Sequence, residues 1–181
     1  MKNKKALFLD RDGVINKDFG YVYKKEDFIF MKGIFNLIKV ANKNGYLVII
    51  VTNQSGIGRG MFDEEDFLNL MQWVRNEFKN QDCYIDGVYY CPYHPQAIIP
   101  KYRKVSDLRK PNPGMIIKAI QDHKLAIESC ILLGDRMSDI NAGISAGIKT
   151  NILLNEGSDD LLTEANTYFI VNSLKSAANY L

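Results

Sequence analysis

A chain of 181 residues with 46% apolar composition is long enough to form one domain, 1–181, around a substantial core. Its net charge of +2 is too small to mark a nucleic-acid or membrane surface by itself, and no apolar run approaches the length of a membrane span. Three scattered cysteines, Cys83, Cys91 and Cys130, fit a reduced protein better than a disulfide framework.

The basic start, Met1-Lys2-Asn3-Lys4-Lys5, leads into no secretory apolar region or cleavage site, so a cytoplasmic location is expected. A short apolar strand is predicted over about 6–10, ending in Asp10-Arg11-Asp12-Gly13. Alternation along an extended segment lets Asp10 and Asp12 face one site beyond the strand's carboxyl end, where ligands collect in open α/β sheets. Gly13 allows a sharp turn away. Ile34, Leu37, Ile38 and Ala41 keep helical spacing, and Gly45 is a natural stop.

A second strand over about 46–52 runs into Thr52-Asn53. Asp63 is expected to cap a helix with Asp66 in its first turn and a core face of Phe67, Leu70, Met71, Val74 and Phe78. A strand over about 86–91 follows. The next helix opens at Pro113-Gly114, carries Met115, Ile116, Ala119 and Ile120, and places His123 on the surface. A strand over about 130–134 leads into Gly134-Asp135, and Ser138 is expected to cap the helix containing Ile140, Ile144 and Ala146. A strand over about 150–154 precedes a tail read as a final strand and short helices. Strands alternating with helices predict a mostly parallel sheet covered on both faces.

Lys101, Arg103, Lys104, Arg109 and Lys110 gather in one stretch. A solvated loop and an approach path for an anionic substrate fit the first three equally well, and the last two read as functional.

Taken together and in order, Asp10/Asp12, Thr52, Lys110 and Asp135 resemble the four motifs of the haloacid dehalogenase (HAD) superfamily of phosphatases. The resemblance implies an α/β, HAD-like (Rossmannoid) fold. It also implies Asp10 as the nucleophile that forms an aspartyl-phosphate, Asp12 as general acid and base, and Mg²⁺ held by Asp10, Asp135 and the backbone carbonyl of Asp12. Thr52 and the segment Asn53-Gln54-Ser55-Gly56 suit the transferring phosphoryl oxygens, Lys110 neutralises Asp10 and the phosphoryl group, and Arg109 brings a planar fork for phosphate. For Asp139, holding the cation's waters or orienting its neighbours and serving as an ordinary acidic helix start both remain open. Neither insertion point of the superfamily has room for a full cap domain, so the site is expected to be covered only by loops at about 17–30, 54–62 and 91–110.

Within the superfamily the wording Asp10-Arg11-Asp12-Gly13-Val14-Ile15-Asn16, Asp18-Phe19-Gly20-Tyr21, Thr52-Asn53-Gln54-Ser55-Gly56-Ile57-Gly58-Arg59-Gly60 and Arg109-Lys110-Pro111-Asn112-Pro113-Gly114-Met115 is similar to the D-glycero-D-manno-heptose 1,7-bisphosphate 7-phosphatase branch. That implies removal of the C7 phosphate to leave heptose 1-phosphate; a monomer is expected, and the near-neutral charge and the lack of a long apolar run lead to the expectation of no nucleic-acid or membrane partner. Asp18, Phe19, Gly20, Tyr21, Thr52, Asn53, Gln54, Ser55, Arg109, Lys110 and Arg136 are the implied substrate contacts, and a bisphosphate needs a second anion site, for which Arg109 with Arg59 or Arg136 is the candidate. Histidinol-phosphate phosphatase and, further off, polynucleotide 3′-phosphatase are the alternatives.

One departure stands out. The branch commonly holds structural zinc with a Cys-x-His and a Cys-x-Cys pair, and the positions here carry Cys91, Tyr93, Ser106 and Leu108, with His94 one place late. Structural zinc needs four ligands, so zinc is expected to be absent. Pro92, Pro95, Pro100, Tyr93, Tyr102 and the Ile98-Ile99 pair are expected to order that loop by packing.

Overall fold

The computed structural model describes residues 4–157, 164–165 and 167–181. The first three residues of the basic amino terminus, and the parts of the tail at 158–163 and 166, lie outside the described residues. The strands are β1 (Lys5–Leu9), β2 (Tyr46–Asn53), β3 (Gly87–Cys91), β4 (Ile131–Gly134), β5 (Thr150–Leu154), β6 (Glu164–Ala165) and β7 (Tyr168–Val171). The helices are α1 (Ile34–Lys43), α2 (Ser55–Gly58), α3 (Glu64–Asn80), α4 (Gly114–His123), α5 (Met137–Ala146) and α6 (Leu174–Ala177). All five strands predicted ahead of the tail are present, each within a residue or so of its expected place.

The strands form one sheet in the order β3-β2-β1-β4-β5-β7-β6, parallel except for the β6–β7 pair at one edge. Central strands buried on both faces read as unbroken apolar runs, and their alternate residues feed two cores. Leu7, Leu9, Val48, Ile50 and Leu133 join the apolar faces of α1, α3 and α6. Ala6, Phe8, Ile49, Val51 and Leu132 join those of α4 and α5.

The helix boundaries follow local chemistry. Asp63 caps α3 by accepting the Asp66 backbone N–H at 2.8 Å, while the Asp66 carboxylate accepts the Asp63 N–H at 3.1 Å. Helix α5 begins earlier than expected. Asp139 reaches back and accepts the Arg136 backbone N–H at 3.0 Å, making Arg136 the cap and placing Ser138 inside the first turn. The buried face of α5 is therefore Asp139, Ile140, Ala142 and Gly143, and Ile144 is exposed.

The chain leaves β1 toward β2 and β3 on one side and returns to place β4 on the other. The crevice between β1 and β4 is thus the point where strand order reverses, the usual ligand position in a doubly wound sheet.

Candidate active site

Asp10 directly follows β1 and Asp135 directly follows β4, so the two carboxylates flank that crevice. Gly13 makes their approach possible. Its φ of +89° suits glycine, and a Cβ there would lie 2.2 Å from Asp135 Oδ2. One carboxylate oxygen from each of Asp10, Asp135 and Asp139 lies within 4.8 Å of the other two, the one cluster of three such ligands among the described residues. Asp135 Oδ1 is buried with no hydrogen-bond partner in the protein. Hard oxygen donors brought this close, one of them otherwise unsatisfied, fit Mg²⁺.

Among the described residues the buried polar side chains are Asp10, Arg11, Asn16, Thr52, Gln54, Lys110, Asp139 and Asn151, and all but the last surround this crevice. Such burial is costly unless every group is paired. Lys110 Nζ lies 2.8 Å from Asp10 Oδ1, 2.5 Å from Asp139 Oδ1, and donates to the Val51 carbonyl at 2.8 Å. These contacts use its three protons. Burial pulls the ammonium's pKa down, but Asp10 and Asp139 outweigh it and leave Lys110 above its ordinary value. Burial pushes Asp10 up, to about 7, despite Lys110, and Asp139 adds to the rise. Burial and then Asp139 raise Asp135 to about 6. The site holds more negative charge than its own lysine balances, and a divalent cation would relieve the excess.

Asp139 does more than start a helix. Its two oxygens are taken by Lys110 and by the Arg136 amide, so it orients the lysine.

Asp12 is held by four donors: Arg11 Nε at 3.1 Å and Gln54 Nε2 at 3.1 Å on Oδ2, and Arg11 Nη2 at 2.7 Å and Asn16 Nδ2 at 3.0 Å on Oδ1. Gln54 Nε2 also donates to Thr52 Oγ1 at 2.8 Å. Asn53 and the Lys110 backbone exchange two hydrogen bonds of 3.1 Å, which clamp the lysine loop to the end of β2. The amides of Asn53 and Gln54 therefore brace the machinery. Arg11 and Asn16 are the participants that motif reading missed, and strand alternation held the available signal: a charged residue between two site-facing aspartates must find a partner inside the protein.

A cavity of 320 Å³ above the crevice is lined by Asp10, Asp12, Asp18, Gly20, Tyr21, Thr52, Asn53, Gln54, Ser55, Gly56, Lys110, Arg136 and Asp139 among the residues singled out in the sequence, with Ser138 added. Phe19, Arg59, Arg109 and Asp135 are outside this lining. Phe19 is 62% exposed and sits with Ile29 over a neighbouring depression. The 17–30 loop is tied at its base by Lys17 N–H to the Ile29 carbonyl and Met31 N–H to the Ile15 carbonyl, both 2.8 Å. It leans over the site through Asp18, whose Oδ2 accepts from Arg136 Nη2 at 2.6 Å. The expected 54–62 loop contains α2, and Ser55 and Gly56 at its start reach the cavity.

Residues 107–177 match a family model of HAD-hydrolase-like proteins. The D-glycero-alpha-D-manno-heptose-1,7-bisphosphate 7-phosphatase of Burkholderia mallei is 52% identical over 154 residues, 85% of this chain and 81% of that protein. The D-glycero-beta-D-manno-heptose-1,7-bisphosphate 7-phosphatase of Vibrio cholerae is 40% identical over 181 residues, 98% of this chain and 96% of that protein. The chain belongs to the heptose-1,7-bisphosphate 7-phosphatase family of HAD-like hydrolases. The fold agrees: the crystal structure of D,D-heptose 1,7-bisphosphate phosphatase from B. bronchiseptica, complexed with magnesium and phosphate, superposes with a TM-score of 0.81 at 23% identity, covering 97% of this chain and 96% of that one.

The 91–110 loop of this family member is organised by side chains at several points. Tyr90 donates to Glu64 at 2.6 Å and Tyr102 to the same carboxylate, pinning the loop to the start of α3. Arg103 Nε and Nη2 donate to the carbonyls of Ala97 at 2.7 Å and Ile98 at 3.0 Å. Lys104 lies over the Tyr93 ring and Lys101 over the Tyr102 ring. Lys101, Arg103 and Lys104 therefore brace the loop. Of the expected apolar pair, Ile99 packs on the core while Ile98 is 70% exposed, with its backbone carbonyl accepting from Arg103. Cys91 is buried, its thiol donates to the Tyr93 carbonyl at 3.9 Å, and burial pushes its pKa up.

Proposed function

We propose that this chain hydrolyses the C7 phosphate of D-glycero-D-manno-heptose 1,7-bisphosphate, leaving heptose 1-phosphate, by way of a phosphorylated Asp10. The observation that carries the chemistry is the buried Asp10–Lys110–Asp139 array beside a fully gripped Asp12 at the β1/β4 crevice. The family relatives carry the substrate. Both donors to Asp10, the Arg11 backbone N–H at 2.7 Å and Lys110 Nζ, fall on Oδ1, and Oδ2 is the oxygen left to attack phosphorus. Asp12 gives the sugar oxygen its proton, then takes one from the water that attacks the aspartyl-phosphate. Thr52 Oγ1 already accepts from Gln54, so its own proton remains for a phosphoryl oxygen. Asp10, Asp135 and the Asp12 carbonyl would hold Mg²⁺, which supplies charge neutralisation between a carboxylate nucleophile and an anionic phosphate. The unpaired thiols Cys83, Cys91 and Cys130 agree with a cytoplasmic setting.

The remote phosphate falls to Arg109 and Arg59. Arg136 is engaged with Asp18 at 2.6 Å and lies 3.7 Å from Asp135. Arg59 Nε is buried without a partner, and half-buried Arg109 is lowered by burial and further by Arg59. Two guanidiniums close enough to repel each other gain from an anion between them. Arg109→Ala is expected to cut kcat/KM about 10–100-fold on the bisphosphate, the worth of a charge-assisted hydrogen bond, and less than about 3-fold on a small monophosphate. Equal losses would place Arg109 on the transferring phosphoryl group.

A phosphate-release panel of both heptose bisphosphate anomers, histidinol phosphate and a 3′-phosphorylated oligonucleotide tests the substrate. The heptose compounds are expected to dominate, with the α anomer first because identity is higher to the α-named relative, 52% against 40%. A preference for histidinol phosphate over both anomers would overturn the assignment.

The zinc positions hold one thiol, Cys91, whose burial disfavours the thiolate a metal needs. The Glu64–Tyr90–Tyr102 network pins this loop instead. Elemental analysis of the purified protein is expected to find no stoichiometric zinc, and one zinc per chain would contradict this.

A further inference from the structure

Arg11 is fully buried, and a buried guanidinium is strongly disfavoured unless paired with good geometry. The strand ends at Leu9, and the chain curls around the Arg11 carbonyl, which accepts the N–H groups of Val14, Ile15 and Asn16 at 3.3, 2.8 and 3.2 Å. That turn brings the Arg11 side chain beneath Asp12. Nε and Nη2 grip the two oxygens of one carboxylate, at 3.1 and 2.7 Å, and Nη2 also donates to the Val22 carbonyl at 2.7 Å. Phe67 of α3 lies below, its ring centroid 5.7 Å from the guanidinium carbon. Arg11 is not among the residues lining the cavity.

The other two donors to Asp12 are single amide prongs. Gln54 divides its amide between Asp12 and Thr52, which lines the cavity. Asn16 divides its amide between Asp12 and the Lys17 carbonyl. Only Arg11 presents a planar fork that matches both carboxylate oxygens at once. Val22 continues the segment Asp18–Tyr21, of which Asp18, Gly20 and Tyr21 line the cavity.

We infer that Arg11 is a positioning residue for the reaction: it fixes the orientation in which Asp12 exchanges its proton with the leaving oxygen, and through Val22 it ties that orientation to the loop that meets the sugar. This rests on the acid–base reading of Asp12 given above. A planar grip matters because proton transfer requires hydrogen-bond reach to the leaving oxygen, and a small misplacement is costly.

The test uses the full chain with Mg²⁺ and two classes of phosphate ester. Alkyl phosphates, including the heptose bisphosphate, expel a basic oxygen that needs a proton. p-Nitrophenyl phosphate expels a phenolate that does not. Rapid-quench measurement of alcohol or phenol release in the first turnover isolates the phosphorylation of Asp10. Arg11→Met is expected to slow that step about 10²-fold on alkyl phosphates and less than about 3-fold on p-nitrophenyl phosphate. Arg11→Lys should recover part of the loss. KM should rise for the bisphosphate but not for p-nitrophenyl phosphate, because only the former engages the loop held through Val22. Equal losses on both ester classes, the signature of a merely structural role, would overturn the inference, as would wild-type rates in Arg11→Met. If Arg11→Met does not fold, Arg11→Lys decides by the same criterion: a selective loss on alkyl phosphates supports the inference and an equal loss overturns it. Asp12→Asn is the reference. If it shows the leaving-group selectivity and the arginine variants do not, the role of Arg11 falls alone. If Asp12→Asn shows none, the acid–base assignment falls and takes this inference with it.

Discussion

Asp10→Asn is expected to lower turnover of the heptose bisphosphate by at least about 10⁴-fold, since the covalent route has no other nucleophile at this position. The fold should survive. The amide is nearly isosteric, and Lys110 keeps Asp139 and the Val51 carbonyl as partners. Stability gives an independent check. Asp10 titrates at about 7 in the folded chain, far above an unperturbed aspartate. The folded state therefore binds the proton more tightly than the unfolded one, and Asp10's contribution to stability falls as pH rises from about 4 to 7. Asp10→Asn removes that contribution. In EDTA, the stability of wild type minus that of the variant, from urea unfolding, should be higher at pH 5 than at pH 8. Mg²⁺ at pH 8 should stabilise wild type more than the variant, because binding to the folded state alone adds stability. Appreciable turnover in Asp10→Asn, or in wild type with excess EDTA, would defeat the covalent, cation-assisted mechanism.

Lys110→Met should damage both stability and activity. Removing one partner of a buried ion pair typically costs about 3–5 kcal/mol, because an uncompensated charge stays behind. Here Lys110 is 4% exposed and stands between two carboxylates, Asp10 at 2.8 Å and Asp139 at 2.5 Å. Losing the ammonium raises the Asp10 pKa above about 7, so the penalty should be larger at pH 8 than at pH 5, where Asp10 is protonated. Urea denaturation at the two pH values measures this. Turnover should fall by several orders of magnitude, since Lys110 is the one cation ion-paired with Asp10 among the described residues. A variant as stable as wild type at pH 8 would mean that the ammonium does not hold these carboxylates together.

Much of the site could be read from residue order. The apolar runs ending in Asp10, Thr52 and Gly134 were legible because strands buried on both faces have few alternatives in composition. Polar residues that end such runs must emerge at the same edge of a parallel sheet. The start of α5 was not legible, because Ser138 is a good capping residue in isolation and only the Asp139 carboxylate, reaching back to the Arg136 amide, moved the boundary. Ile98 was misplaced for a related reason. A hydrophobic pair in a loop says nothing about which member the loop turns outward, and here Ile99 is the one that packs on the core.

The sequence alone determined the identities and order of the candidate site groups at the strand ends, since these follow from residue type and strand-end position. It also determined the sheet's class, because burial on both faces demands that composition. Only the tertiary structure decided how the groups are shared. Asp139 belongs to Lys110, Gln54 to Asp12 and Thr52, Asn53 to the Lys110 backbone, and Arg11 to both Asp12 and Val22. Hydrogen bonds and ion pairs act over about 3 Å, and residues 118 positions apart, Asp18 and Arg136, reach that distance at this site. Pairing at that range depends on where α5 and the loop from 91 to 110 dock against the strand ends, and packing fixes that placement.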